Sequence, residues 1–318
     1  GAKKLPVELI ARGISDGKFL HMDVLNLLSR RREYRIRIGA GAEQALDLNP
    51  NECRQLRYPL PSALRFDQVN KISIPVSLSF GEERVQSSFD LDVLPLHQIS
   101  GKIDWSRIPS IRLPYCFPEQ YAKTNQLAWK GEADLSGTWQ AAWSPDGLFL
   151  RFVIRDDHFV MDHTSPRGVS AWYDNDSIQL FFDTLGDGRA NARRGNSQFD
   201  QNDYSYELLP TGENSAIVYR RHAPDQQLTG GLDGLFRDTV EKNVRCAFAH
   251  QNGRMIYEVF FPARYLQPME FHPGSMPGLG IKVFDRDNGD RCAKQILSNV
   301  DGDVFKRTDI YPLLLFMK

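Results

Sequence analysis

The chain has 318 residues, with 39 Lys and Arg against 40 Asp and Glu and a formal net charge of −1. With a pI near 6.7 it lacks the basic footprint that nucleic-acid phosphates demand. Its longest apolar runs, near residues 311–317 and 148–154, are too short for a membrane-spanning helix, and no secretory leader is legible at the opening Gly-Ala-Lys-Lys. The length suits two domains, or one large all-β domain.

Residues 7–97 read as strands throughout. The runs 7–14, 19–28, 34–39, 71–80 and 85–94 are β-rich and are split by Gly, Asn, Pro and charged turns. Arg35 and Arg37 alternate with Ile36 and Ile38, and Ile74, Val76, Leu78 and Phe80 face one way. Short strands about ten residues apart predict a small β-sandwich over 1–98. In architecture this stretch resembles fibronectin type III and other immunoglobulin-like modules. It shows no nucleophile–base pair and no metal cluster, so a spacer role is expected. The Ser-Arg-Arg-Arg-Glu stretch at 29–33 is most simply a solvated turn rather than a basic docking patch.

Residues 95–104 look like a boundary, and the sequence restarts with Ile103-Asp104-Trp105. A lead-in with several prolines and glycines follows to residue 137. A strand over 138–143, a Ser-Pro-Asp-Gly turn and a return strand over 148–155 form a hairpin. Further strands are expected at 204–209, 217–221, 244–249, 254–261, 280–284, 293–297 and 311–317, with a hairpin signal at Asn252-Gly253 and a helical turn at 262–266. Residues 184–203 are polar and read as a long loop.

The most informative stretch is 171–183, Ala-Trp-Tyr-Asp-Asn-Asp-Ser-Ile-Gln-Leu-Phe-Phe-Asp. Ile178, Leu180 and Phe182 alternate with Ser177, Gln179, Phe181 and Asp183, so one face enters a core and the other carries the amide of Gln179. Trp172 sits just ahead, in a loop. It suits either stacking on a flat ligand or packing as a lid on the sandwich edge. Of the cysteines, Cys53, Cys116, Cys246 and Cys292, none forms a CxxC pair. Cys246 and Cys292 fall in strand-like runs and are able to pair if those strands are neighbours; four free thiols are the alternative.

The order of these pieces carries a resemblance: Ile103–Trp105, the hairpin from Trp139 into Arg155-Asp156-Asp157, Trp172, then Asp176-Ser177-Ile178-Gln179-Leu180-Phe181-Phe182-Asp183, the Asn252–Pro262 strand and Gly278–Asp287. Over about 100–318 the chain resembles the family 9 carbohydrate-binding modules, within the DOMON-like β-sandwiches. The expected fold class is therefore all-β, as two β-sandwich domains, 1–98 and 99–318. The resemblance implies a non-catalytic module that holds a mono-, oligo- or polysaccharide between two aromatic rings, as an accessory part of a larger secreted or cell-surface bacterial protein. It implies an extracellular, periplasmic or cell-surface location, and no enzyme activity.

Trp172 matches the family's first ring and Phe305 its second. Gln179 falls where the family pattern has a carboxylate, and Glu207 where it has a basic side chain. The resemblance also implies structural calcium. The turns at 183–187 and 285–290 supply hard oxygen donors, with Asp183, Asp187, Asp285 and Asp287 as candidate ligands; ordinary solvated turns are the alternative. Three other readings compete. A glycosidase would draw on Asp156, Asp157, Asp174 or Asp176, although acids at strand ends are mostly turn-formers. A haem-binding DOMON domain would draw on His158, His250, Met255 or Met276. A purely structural sandwich would need none of these residues.

Overall fold

The alternations read from the sequence become antiparallel strands. The computed structural model describes residues 6–116, 129–161, 175–224, 239–286, 295–300 and 307–318. The chain divides into two units, one of Gly1–Pro95, Pro273–Met276 and Leu313–Lys318, the other of Leu96–His272 and Pro277–Pro312.

The first unit is a β-sandwich of immunoglobulin-like type. Strands β1 (Val7–Ser15), β2 (Phe19–Asn26), β3 (Arg32–Ile38), β4 (Gln44–Leu48), β5 (Cys53–Pro59), β6 (Asn70–Phe80) and β7 (Glu83–Gln98) follow in order. One sheet runs β1-β2-β5 and the other β4-β3-β6-β7. Leu20, Met22 and Val24 from the first sheet and Ile36, Ile74 and Leu78 from the second share one core. Met276, Leu313 and Leu315, far along the chain, join it. Asn26 ties its loops together: its amide donates to the carbonyls of Leu48 and Asn49 and its oxygen accepts from Tyr34 Oη (3.1, 2.9 and 2.7 Å). The strands β4 and β5 had no sequence signal, because each buries only one or two apolar side chains.

The second unit is a larger sandwich. After β8 (Ile111–Leu113) come β9 (Leu135–Ser144), β10 (Gly147–Asp156), β11 (Ser177–Asp183), α1 (Gly188–Arg193), β12 (Tyr204–Gly212), β13 (Ser215–His222), β14 (Thr239–Val240), β15 (Arg245–Gln251), β16 (Arg254–Pro262), β17 (Gly278–Asp285) and β18 (Gln295–Ser298). One sheet has the order β14-β13-β12-β11-β17-β18. The other has β8-β9-β10-β16-β15, with the last residues of β7, His97 and Gln98, pairing in parallel with Ala142 and Trp143.

The two sheets meet through aromatic rings. Phe261 of β16 lies edge-on to Phe182 of β11 (5.4 Å) and Tyr206 of β12 (4.9 Å), a geometry that aromatic pairs favour. The Ile103–Trp105 restart becomes a 3₁₀ turn at Trp105–Arg107 capped by Asp104, and Gln140 of β9 donates to the Trp105 carbonyl. The helix α1, absent from the sequence reading, sits inside the polar stretch after β11. Among the described residues no helix is long and apolar enough to cross a membrane.

Candidate functional site

The sheet containing β11 presents a polar row on the face opposite its core. Ile178, Leu180, Tyr206, Leu208 and Ile281 enter the sandwich core, so their alternates point the other way. Gln179 stands directly opposite Glu207 of β12 on one side and Lys282 of β17 on the other. The row continues to Tyr219 of β13 and Ser298 of β18. It is covered: Gln179 is 2 %, Glu207 1 % and Lys282 2 % exposed. Both faces of β11 are thus buried, where alternation predicted one buried face and one polar face.

Burying these groups requires partners. Glu207 Oε2 accepts from Arg221 Nη1 at 3.0 Å, with both side chains buried. Lys282 lies 5.0 Å from the Phe284 ring. Gln179 Oε1 accepts no hydrogen bond among the described residues. Beside the row, Phe181, Phe199, Val300 and Tyr311 form a small apolar cluster with Ile310 against them. Phe199 also stacks on His222, with 5.2 Å between ring centres.

At one end of this face lie two buried acids. Asp183 closes β11 and Asp203 immediately precedes β12, so the Phe182–Tyr204 pairing carried one step further sets them opposite each other. Asp183 accepts the amides of Asp187 (3.2 Å) and Gly188 (2.9 Å), which starts α1. A Cβ on Gly188 would meet Thr308 at 2.5 Å, so glycine is what lets α1 lie against the 3₁₀ turn Thr308–Ile310. Asp203 accepts the Asp200 amide at 2.7 Å, and its Oδ1 has no hydrogen bond among the described residues. Burial, and next the Asp183 charge, push the Asp203 carboxyl up to about 9; burial pushes Asp183 to about 7.

A second acidic group lies between the sheets. Asp156 ends β10, Asp176 precedes β11 and Asp285 ends β17, and each is buried with one carboxylate oxygen within 4.8 Å of the others. Each continues the core-facing alternation of its strand, after Ile154, before Ile178 and after Val283. Burial, with the neighbouring carboxylates adding to it, raises Asp176 well above the usual carboxylate range; burial also raises Asp156. Neither Asp156 nor Asp176 has an ion pair with a cationic side chain among the described residues. A compact, oxygen-only, anionic donor set of this kind suits a hard divalent cation.

Several expected site residues, Trp172, Phe305, Asp174 and Asp287, lie outside the described residues. Gln179 and Glu207 are brought side by side. Asp183 and Asp187 share the α1 turn, whereas Asp285 joins Asp156 and Asp176, which the sequence reading had not gathered as ligands. Of the residues considered for haem, His158 is exposed, His250 packs on Phe159 and stands opposite Met255 in the β15–β16 pairing, Met255 is buried near the Tyr257 hydroxyl, and Met276 belongs to the core of the first unit. Arg221 was missed; its alternation with Tyr219, which stands opposite Glu207, was the available signal. Cys53 and Cys246 carry free thiols, and Cys292 lies outside the described residues.

The sequence profile of the family described as "Carbohydrate family 9 binding domain-like" matches residues 116–314, well over half of the chain. The chain belongs to this family. Among solved structures, a family 9 carbohydrate-binding module from Caldicellulosiruptor kristjanssonii in complex with cellotriose is 11% identical, with a TM-score of 0.46 over 70% of this chain and 92% of that one. The glucose complex of a family 9 module from the same organism is 11% identical, with a TM-score of 0.44 over 70% and 94%. A protein from Bacteroides uniformis ATCC 8492 is 10% identical, with a TM-score of 0.46 over 70% and 98%. A search of curated proteins found no match.

Proposed function

We propose that the second unit binds carbohydrate without catalysing its cleavage, on the sheet face that carries Gln179 and Glu207. Membership in the family supports carbohydrate binding as such. The observation that carries the choice of face is the Glu207–Gln179–Lys282 row, a line of buried hydrogen-bonding groups on the side away from the sandwich core. Trp172 and Phe305 are the proposed stacking rings, with Gln179 and Glu207 as the proposed polar groups of the site. Stacking and hydrogen bonds of this kind contribute about 1 kcal/mol each, so affinity is expected between roughly micromolar and millimolar.

Of the acids a glycosidase would draw on, Asp156 and Asp176 are buried between the sheets, Asp157 is exposed and Asp174 lies outside the described residues. The proposed role of the Asp156–Asp176–Asp285 group is to hold calcium, which would supply positive charge linking strands of both sheets. An accessory role within a larger polysaccharide-active or cell-surface protein outside the cytoplasm completes the reading.

A glycan array, with glucose and cellotriose among its members, tests the proposal. Binding to at least one glycan is expected, and Trp172→Ala should weaken it about tenfold, equivalent to about 1.4 kcal/mol, with little change in melting temperature. If Trp172 is instead a lid, the same substitution should cost about 3–5 kcal/mol of stability and leave binding by the folded fraction intact.

A further inference from the structure

The pairing of β12 with β13 is interrupted beside the polar row. Tyr206 pairs with Arg220, yet the next residue of β12, Ser205, pairs with His222. Arg221 is the extra residue of a β-bulge. Bulges re-aim side chains and recur beside functional sites. This one turns two consecutive residues to the row's face: Arg221 reaches Glu207 at 3.0 Å, and His222 stacks on Phe199. A regular strand would have set Arg221 opposite Ser205 and sent His222 toward the core.

We propose that Arg221 is a positioning residue of the sugar face: its guanidinium pairs with Glu207, and the clamped carboxylate confines Gln179 as the group that takes a sugar hydroxyl. The inference rests on the carbohydrate-binding reading above. The physical grounds are three. Glu207 and Gln179 are direct cross-strand neighbours, so fixing one side chain restricts the other. The guanidinium–carboxylate bond is charge-assisted and buried, the kind that fixes geometry. Gln179 Oε1 is buried and accepts no hydrogen bond among the described residues, and a sugar hydroxyl supplies the missing donor.

A double-mutant cycle on the full chain tests it. Affinities are measured by calorimetry against glucose, mannose, galactose, xylose and cellotriose for the unsubstituted chain, Arg221→Met, Gln179→Asn and the double variant. Arg221→Met should lower affinity about tenfold in the unsubstituted background and less than twofold when Gln179 is already Asn, because its effect passes through the amide. If Arg221→Met fails to fold, Glu207→Met/Arg221→Met replaces it in the cycle, since removing both members of a buried pair is tolerated better than removing one. An unchanged affinity in the Arg221 variant, or an equal loss in both backgrounds, overturns the inference while sugar binding stands. No binding of any of the five sugars by the unsubstituted chain overturns the carbohydrate reading and this inference with it.

Discussion

Asp176 accepts the backbone amide of Arg286 at 2.8 Å across 110 positions of sequence. That bond ties the entrance of β11 to the exit of β17, where Asp285 stands. The same carboxylate also accepts the amide of Val160, just after β10. Three chain segments thus converge on one acid whose burial, with the charge of Asp156 and Asp285 beside it, disfavours its ionised form.

The first prediction follows from this convergence. Calcium should raise the melting temperature over an EDTA-treated sample, because an ion that binds the folded state stabilises it by RT ln(1 + [L]/Kd). Asp176→Asn should abolish that response; in EDTA it relieves one of three crowded charges but sets an amide NH2 against one of the two backbone N–H groups that the carboxylate accepts. Equal melting with and without calcium, and no metal by elemental analysis, would dispose of the ion.

The second prediction concerns Asp203. Its folded-state carboxyl sits at about 9, against about 3.9 for an unperturbed Asp. A raised carboxyl binds a proton in the folded state that the unfolded state has released, so this group's contribution is full below about pH 4 and is lost as pH rises toward 9. Stability in EDTA should therefore fall between neutral pH and pH 9, by up to about 1.4 kcal/mol per pH unit for one such proton. Asp203→Asn should flatten that slope. Denaturant midpoints at pH 6, 7.5 and 9 measure it, and an identical slope in the variant would show that Asp203 is not its source.

Much of the fold was legible because its strands bury one clean face. β6 and β10 alternate with few exceptions, and their faces were assigned correctly from Ile74, Val76 and Leu78 and from Leu148, Leu150 and Phe152. β4 and β5 were hidden, since Leu46, Leu48 and Leu56 are too few to set a period among polar neighbours. α1 has no period to read: an acid at Asp183 and a close approach of Gly188 to Thr308 hold its six residues. The acidic triad did leave a signal, an aspartate at the next core-facing position beyond each strand end. Reading Asp156 and Asp176 as turn-formers, and Asp285 as a ligand within its own turn, concealed it. The bulge at Arg221 left none, because it depends on pairing with β12 and not on the local pattern.

A third prediction tests the hairpin that leads into β10. Gly147 has φ of 151°, and a Cβ there would lie 2.1 Å from the Phe261 carbonyl oxygen. Gly147→Ala should destabilise the chain by at least about 1–3 kcal/mol, read as a lower denaturant midpoint. A midpoint within error of the unsubstituted chain would mean that this hairpin yields locally.

The fourth concerns the apolar cluster beside the polar row. Phe199 packs on Phe181 and His222 and is 4 % exposed. Phe199→Ala should cost about 3–5 kcal/mol and speed amide exchange in residues 184–203, which it anchors. Unchanged exchange there, measured by mass spectrometry, would show that Asp183 and Asp203 suffice to hold the segment.

Isothermal titration of the unsubstituted full chain with glucose, mannose, galactose, xylose and cellotriose tests the central claim most directly. Saturable binding of at least one of these sugars is predicted, with a dissociation constant between roughly micromolar and millimolar. No saturable heat from any of them, from a chain that melts cooperatively in the same buffer, would contradict the assignment of this face to carbohydrate.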